Sequence, residues 1–246
     1  MFEPDALPAA IFDGIANRCR DRNDRMPDFR IERSLGGLVA GIDESGRGPW
    51  AGPVFAAAVI LDAKRLPRML RYGLNDSKIL TAARRRELFD ALKPHASVGV
   101  GQAAVEEIDA INILQATMLA MGRALESLGF CPDHAIVDGN YPPRLPCPVK
   151  CVVRGDSLSL SVAAASIVAK VTRDRMMTQL ACAFPGYGWD HNFGYGTAEH
   201  QAALEAIGAT RHHRRSFAPV LKVLQMHGQA APHMAVTKKS VPPVIW

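Results

Sequence analysis

Two adjacent acids, Asp43 and Glu44, close the apolar run at residues 38–42 and stand directly before a glycine-rich turn, Gly46-Arg47-Gly48-Pro49. Neighbouring residues on a regular strand point to opposite faces, so both carboxylates serve one site only where the pleat ends. Gly46, Gly48, Pro49, Gly52 and Pro53 supply that break. A glycine on either side of Arg47 lets main-chain N–H groups approach a bulky ligand, with a guanidinium at hand for phosphate. Two more acids follow short apolar runs: Asp138 in AIVDGN, and Asp156 in Arg154-Gly155-Asp156-Ser157 just after residues 149–153. An open α/β sheet presents functional groups at the carboxyl ends of its strands, which makes Asp138 and Asp156 the third and fourth candidate ligands. Acids set against such apolar flanks point to a functional site rather than to a charged hairpin tip.

These residues need a scaffold, and the apolar pattern predicts one. Residues 38–42 and 54–61 read as two antiparallel strands joined by a turn, with no room for a helix between them. Residues 62–80 hold Pro67, Gly73 and Asn75-Asp76-Ser77-Lys78, a loop with at most a short helix that borders the site. Thr81 is a plausible N-cap for a helix through Lys93, with Leu88, Phe89 and Leu92 on its apolar stripe and Arg84, Arg85 and Arg86 on a solvated face. A third strand is expected over residues 96–105. A long helix is expected over 106–128, with Ile108, Ile111, Leu114, Met118, Met121 and Leu125 at helical spacing and Gly129 as its stop. Residues 135–140 and 149–153 supply two further strands, separated by a proline-stiffened loop. The alanine-rich SVAAASIVAK then predicts a helix packed closely under the sheet. Residues 184–200, FPGYGWDHNFGYGTAEH, place aromatics and glycines in a loop that no core requires, which suits stacking on sugar or base. A helix follows over residues 197–207, and the paired His212 and His213 read as part of a basic helix start.

At 246 residues and 48% hydrophobic, the chain can bury one core with a small helical appendage. Its formal charge of +5 fits a polyanionic partner without requiring one. The five cysteines are scattered and contain no C-x-x-C pair, which indicates neither a disulfide framework nor a zinc site and suits a reducing cytoplasm. No apolar run reaches the length of a membrane span, and no signal core is apparent. Residues 1–35 read as a poorly ordered, mostly dispensable extension, residues 36–224 as the folded domain, and residues 225–246 as a disordered tail.

The stretch GIDESGRGPWAGPVFAAAVIL resembles the first signature of the type 2 ribonucleases H, specifically bacterial ribonuclease HII. The blocks VDGN and GDSLSLSVAAASIVAKVTRDR, the loop motif FGYGT and the segment Arg211–Phe217 resemble the family's later signatures, in its order. The resemblance covers roughly residues 36–224, implies that this folded domain is catalytic, and implies an α/β fold: a ribonuclease H-like mixed five-stranded sheet flanked by helices, with a C-terminal helical extension. It implies that Asp43, Glu44, Asp138 and Asp156 form a four-carboxylate metal site. It further implies that Gly46, Arg47 and Gly48 read a ribose 2′-hydroxyl, and that Tyr195 packs on the neighbouring deoxyribose. Ser77 and Lys78 match a phosphate-contacting motif whose second lysine is here Ile79, and Lys170 is carried as a phosphate contact. Asp174 is carried as a structural or outer-shell acid.

Four acids crowded on a sheet cannot all ionise without compensation. Two Mg²⁺ or Mn²⁺ ions are the expected cofactors, since hard oxygen ligands without cysteine or paired histidine select them. The implied activity is hydrolysis of the RNA strand of RNA/DNA hybrids and incision 5′ of single ribonucleotides embedded in duplex DNA, leaving a 5′-phosphate and a 3′-hydroxyl. The expected partners are those nucleic acids, with no membrane and a monomeric enzyme. The competing readings are another metal nuclease of this fold and a non-catalytic nucleic-acid-binding module. The Gly-Arg-Gly turn argues against the first; a mere binder of polyanions gains nothing from clustered acids, which argues against the second. A ribonuclease HIII would need a folded N-terminal platform that 35 mixed-charge residues do not make.

Overall fold

The computed structural model describes residues 26–228. Seven α-helices and five strands are described: α1 (Arg30–Leu35), β1 (Val39–Ser45), β2 (Val54–Leu61), α2 (Arg68–Gly73), α3 (Ala82–Leu92), β3 (Ala96–Ala103), α4 (Val105–Glu126), β4 (His134–Asp138), β5 (Val149–Val152), α5 (Leu160–Ala183), α6 (Ala198–Ile207) and α7 (Ala218–Met226). The strands form one sheet in the order β3-β2-β1-β4-β5, antiparallel across β1–β3 and parallel from β1 to β4 to β5. This is the mixed five-stranded sheet expected from the sequence.

All eight residues of β2 are buried, because helices cover both faces of the sheet. On one face Ala57, Val59 and Leu61 pack with α3 and α5; on the other Ala56, Ala58 and Ile60 pack with α4. Helix α5 is buried nearly all round, including Val162–Ala165, and its small residues allow β1 to lie directly on it. A Cβ placed on Gly41 would run into the backbone of Ser161 and Val162, so only glycine fits there.

Three expectations change. Helix α4 breaks at Asn112, which adopts φ 66° and accepts hydrogen bonds from the N–H groups of Leu114 and Gln115 (3.0 and 3.1 Å). Asn112 thus caps a second helical segment and resets its phase, which leaves Ile111 exposed and buries Ala116, Thr117, Ala120 and Ala124 instead. The loop of residues 184–197 has a core of its own: Tyr187 and Trp189 are buried with Met177 and Ala51. His212 and His213 precede α7 rather than starting it, and His213 is fully buried.

The expected N-terminal boundary at residue 36 also moves. Phe29 belongs to the main core, and the Asp28 N–H donates to the carbonyl of Leu158 (3.2 Å). Glu32 accepts hydrogen bonds from the Ser159 hydroxyl (2.7 Å) and the Ser161 N–H (3.1 Å) at the start of α5. Part of the supposed extension therefore holds the loop that carries Asp156. The expectations for residues 1–25 and 229–246 fall outside the described residues, while α7 continues to Met226, two residues past the expected tail boundary.

Candidate active site

Asp138 ends β4, while Asp43 lies two residues short of the end of β1, which runs on through Glu44 and Ser45 paired with β2 instead of breaking at the acid pair. The pairing of Ile42 with Val137 sets Asp43 and Asp138 side by side on parallel strands. Asp156 follows β5 in a single 3₁₀ turn, Gly155–Ser157. Asp138 fixes that turn by accepting the Gly155 N–H at 2.7 Å. The carboxyl ends of β1, β4 and β5 thus deliver all four predicted acids to one edge of the fold.

Asp43 is almost completely buried, and its carboxyl is pushed well above the ordinary range by that burial and then by the charges of Glu44 and Asp138. Burial also raises Glu44; the Arg47 guanidinium, 3.4 Å away, opposes the shift, and Asp138 adds to it. Asp156 is raised by burial and by Asp76 and Asp138, with Lys78 pulling the other way. Burial alone would depress Lys78, but the negative charges of Asp76, Asp43, Asp156 and Asp138 outweigh it and raise its pKa. Burial is the main cause for the three acids, with neighbouring carboxylates adding to it, whereas the raised Lys78 records an excess of negative charge around it.

That excess, carried by carboxylate oxygens, fits a hard divalent cation. Among the described residues no three His, Cys, Asp or Glu side chains are arranged to hold an ion unaided. A small hard cation suits such a partial set, because it is usually held by one or two carboxylates and completes its shell with water and substrate phosphate.

The turn beside the acids is built on two buried arginines. Gly46 has φ 98°, and a Cβ there would fall inside the Arg173 side chain. Arg173 donates to the carbonyls of Pro53 (3.1 Å), Phe193 (3.0 Å) and Ala51 (3.0 Å). Arg214 donates to those of Gly52 (2.9 Å), Arg47 (2.9 Å) and Gly46 (2.5 Å). The Trp50 N–H donates to the Gly194 carbonyl (2.8 Å), which joins the turn to the aromatic loop. As a result Tyr195, with 44% of its surface exposed, stands beside Gly48: a Cβ on that glycine would lie 3.6 Å from the tyrosine Cε1.

The aromatic loop is held by a hydrogen-bond chain whose polarity follows from its ends. The Thr210 N–H donates to His213 Nδ1 (2.9 Å), so the His213 proton sits on Nε2 and is donated to His200 Nε2 (3.1 Å). Trp189 Nε1 donates to that same nitrogen (3.2 Å), and His200 Nδ1 donates to the Tyr195 carbonyl (2.9 Å). Both imidazoles are neutral in this arrangement. Burial pushes both down, His213 to about 3. Tyr187, the other tyrosine of the loop, is buried and donates to the Gly208 carbonyl (2.7 Å).

Not every predicted contact faces outward. The Ser77 side chain is buried and shares a hydrogen bond with Ser166 Oγ (2.9 Å), beneath Asp43 rather than out toward a phosphate. Lys78 is exposed and reaches Asp76 and Asp156 at 3.8 and 4.0 Å. Lys170 is paired with Asp174 (2.7 Å) and lies over the rings of Phe193 (4.8 Å) and Tyr195 (5.9 Å), which gives Asp174 a structural role through that pair. Arg85, expected on a solvated face, donates to the Ser77 and Leu80 carbonyls (2.7 and 2.5 Å) and fixes the loop carrying Lys78. Sequence reasoning missed Asp76, Arg173 and Arg214. Asp76 was legible as an acid next to Ser77, while nothing local marks the two arginines as buried.

Residues 40–220 match the family model described as ribonuclease HII. A ribonuclease HII of Paramagnetospirillum magneticum is 61% identical over 199 residues, covering 81% of this chain and 99% of the relative. The crystal structure of ribonuclease H2 from Pyrococcus horikoshii aligns with a TM-score of 0.67 at 29% identity, covering 78% of this chain and all of that one. Bst ribonuclease HIII in complex with Mn²⁺ has a TM-score of 0.65 at 21% identity, covering 86% and 77% of the two chains, a likeness of fold. With four acids at the strand ends, a match across most of the chain and relatives of this identity, the chain belongs to the ribonuclease HII family and is a ribonuclease H.

Proposed function

We propose that this enzyme hydrolyses the RNA strand of RNA/DNA hybrids and also incises duplex DNA 5′ of a single embedded ribonucleotide, leaving a 5′-phosphate and a 3′-hydroxyl. The observation that carries this reading is the junction of three features on one surface: the acid cluster, the Gly46-Arg47-Gly48 turn and the exposed Tyr195 ring. A hydroxyl-sensing turn beside an aromatic platform distinguishes a ribonucleotide from the deoxynucleotide that follows it.

Asp43, Glu44, Asp138 and Asp156 would hold two Mg²⁺ or Mn²⁺ ions. When bound, such ions offset the charge that builds on the attacking and leaving oxygens of the phosphodiester. Lys78 and Arg47, half or more exposed at the rim of the acid cluster, receive flanking phosphates. Tyr195 supplies a face for the sugar 3′ of the junction, and a 2′-hydroxyl on that sugar would crowd the ring. The enzyme acts as a monomer in a reducing cytoplasm, consistent with the free Cys131, Cys147, Cys151 and Cys182. Among the described residues no helix is long and apolar enough to cross a membrane.

The deciding experiment is cleavage of a DNA duplex carrying one ribonucleotide, with Mg²⁺, with Mn²⁺ and with a chelator. A single cut 5′ of the ribonucleotide that appears only with metal is expected. Cleavage of long hybrids alone would remove the junction activity, and full cleavage in chelator would remove the metal site.

A further inference from the structure

The Arg214 guanidinium is fully buried, yet among the described residues it forms no ion pair. Its three nitrogens instead go to three carbonyls of a single turn, those of Gly46, Arg47 and Gly52. Burying a cation so that it meets only neutral acceptors is costly, so a residue kept in that state must fix something that a neutral side chain would not. What it fixes follows from peptide geometry. In a trans peptide the C=O of one residue and the N–H of the next point in opposite directions. With the carbonyls of Gly46 and Arg47 drawn inward onto Arg214, the N–H groups of Arg47 and Gly48 are turned outward. Arg47 and Gly48 are exposed, and neither N–H has a protein acceptor among the described residues.

We infer that Arg214 is the positioning residue for ribonucleotide recognition: by clamping the carbonyls of Gly46, Arg47 and Gly52, it presents the Arg47 and Gly48 amides as a paired donor for a ribose 2′-hydroxyl. This inference rests on the functional reading given above. A hydroxyl oxygen accepts two hydrogen bonds, and two adjacent outward amides match that capacity, whereas a 2′-deoxyribose offers nothing to them. The clamp is itself registered on the turn, since the Arg214 N–H donates to the Trp50 carbonyl (2.8 Å) and Ala51 bridges to His213. Arg173 lies under the same turn but holds its far side, Ala51 and Pro53, together with Phe193 of the aromatic loop. The turn therefore has one arginine for its reading amides and another for its junction with Tyr195. Lysine cannot replace the first, because a single ammonium lacks the planar fork that spans three separated carbonyls.

The test uses the full chain with Mg²⁺ and compares wild type, Arg214→Lys and Lys222→Ala, a remote control. KM and kcat are measured on a duplex with one ribonucleotide, and an all-DNA duplex of the same sequence is titrated as competitor to give Ki. For Arg214→Lys, KM is expected to rise about tenfold while Ki stays within twofold, so that the ratio Ki/KM collapses by about the same factor. Equal changes in KM and Ki, or an unchanged ratio, would reduce Arg214 to a general support of the fold. If Arg214→Lys melts below the assay temperature, the wild-type protein decides. In protein isotope-labelled at arginine and glycine, the Arg47 and Gly48 amide resonances should move downfield with the ribonucleotide duplex and not with the all-DNA duplex; static resonances would overturn the inference. A wild-type enzyme with no preference for the ribonucleotide duplex would instead overturn the functional reading itself.

Discussion

At the carboxyl ends of β1, β4 and β5, four acids face one another, and among the described residues Lys78 and Arg47 are the cations paired with them. Behind the neighbouring turn, Arg173 and Arg214 are fully buried, form no ion pair among the described residues and are satisfied by six main-chain carbonyls. The first region leaves much of its charge unanswered, as the proposed cation site requires. The second answers its charge completely, because its task is to hold a backbone shape. Burial moves both sets of groups toward neutrality, the acids upward and the arginines down to about 10 and about 9. Like charge adds to the shift in both regions, from Glu44 and Asp138 on Asp43 and from Arg173 on Arg214; what separates them is that the two arginines direct their guanidinium N–H groups onto six carbonyls.

The comparison breaks most visibly at the acids. Asp43→Asn or Asp138→Asn should lower kcat/KM by at least about 10³-fold, since each removes a carboxylate that the proposed function assigns to a metal ion. The same change relieves repulsion between carboxylates, so the melting temperature should stay level or rise. A variant that lost activity together with several kcal/mol of stability would show that these acids serve the fold instead. The next effect down is on Tyr195, which stands between the two regions. Tyr195→Ala should lose roughly 30-fold in kcat/KM on a single embedded ribonucleotide and only about threefold on a long hybrid, where several registers bind. Tyr195→Phe should lose less on both. Equal losses on the two substrates would make Tyr195 a loop anchor.

The acids were readable because their signal is local: an apolar run, a carboxylate, then glycine, as at Gly41–Gly46 and in VDGN. The sheet was readable for the same reason, through strands of four to eight apolar residues. What escaped depends on long-range packing. Arg173 looks like any helix-surface charge until Gly46 and Gly52 are seen to lie on it. Trp189 and Tyr187 read as a sticky loop, because their core partners Ala51 and Met177 come from distant segments. Ser77 is next to an exposed lysine, and a loop sequence does not state which of two neighbours turns inward.

The neutral histidine pair offers a pH test of the scaffold region. The folded state holds His213 at about 3, below its ordinary 6.5, so above pH 6.5 the residue is neutral both folded and unfolded. As pH falls below 6.5 the unfolded chain binds a proton that the folded protein refuses, and stability is lost until pH nears 3. Between pH 6.5 and 5 this amounts to ~2 kcal/mol. The raised Asp43, Glu44 and Asp156 titrate with the opposite sign, so the quantity to measure is a difference. Denaturant unfolding of wild type and His213→Gln at the two pH values should show the wild type losing ~2 kcal/mol more; parallel losses would place the proton elsewhere.

The smallest expected effect concerns Glu32, an acid that belongs to neither region and is stabilised in a third way. Its carboxylate is buried: Oε1 receives the Ser159 hydroxyl and the Ser161 N–H at the amino end of α5, while Oε2 has no partner among the described residues. A negative charge at that end meets both unpaired N–H groups and the positive pole of a 24-residue helix. Glu32 is thus held by neutral donors at a helix end, whereas Asp156, only three residues before Ser159, lies among other carboxylates. Glu32→Ala should cost about 1–2 kcal/mol of stability through the lost cap. It should also lower kcat/KM only a few-fold, because the 3₁₀ turn carrying Asp156 keeps its own bond from the Gly155 N–H to Asp138. Glu32→Gln, which can still accept from both donors, should recover part of the stability. If Glu32→Ala leaves the denaturation midpoint and slope unchanged, the segment from Asp28 to Glu32 is incidental to the core; if it abolishes activity at full stability, Glu32 belongs with the catalytic acids after all.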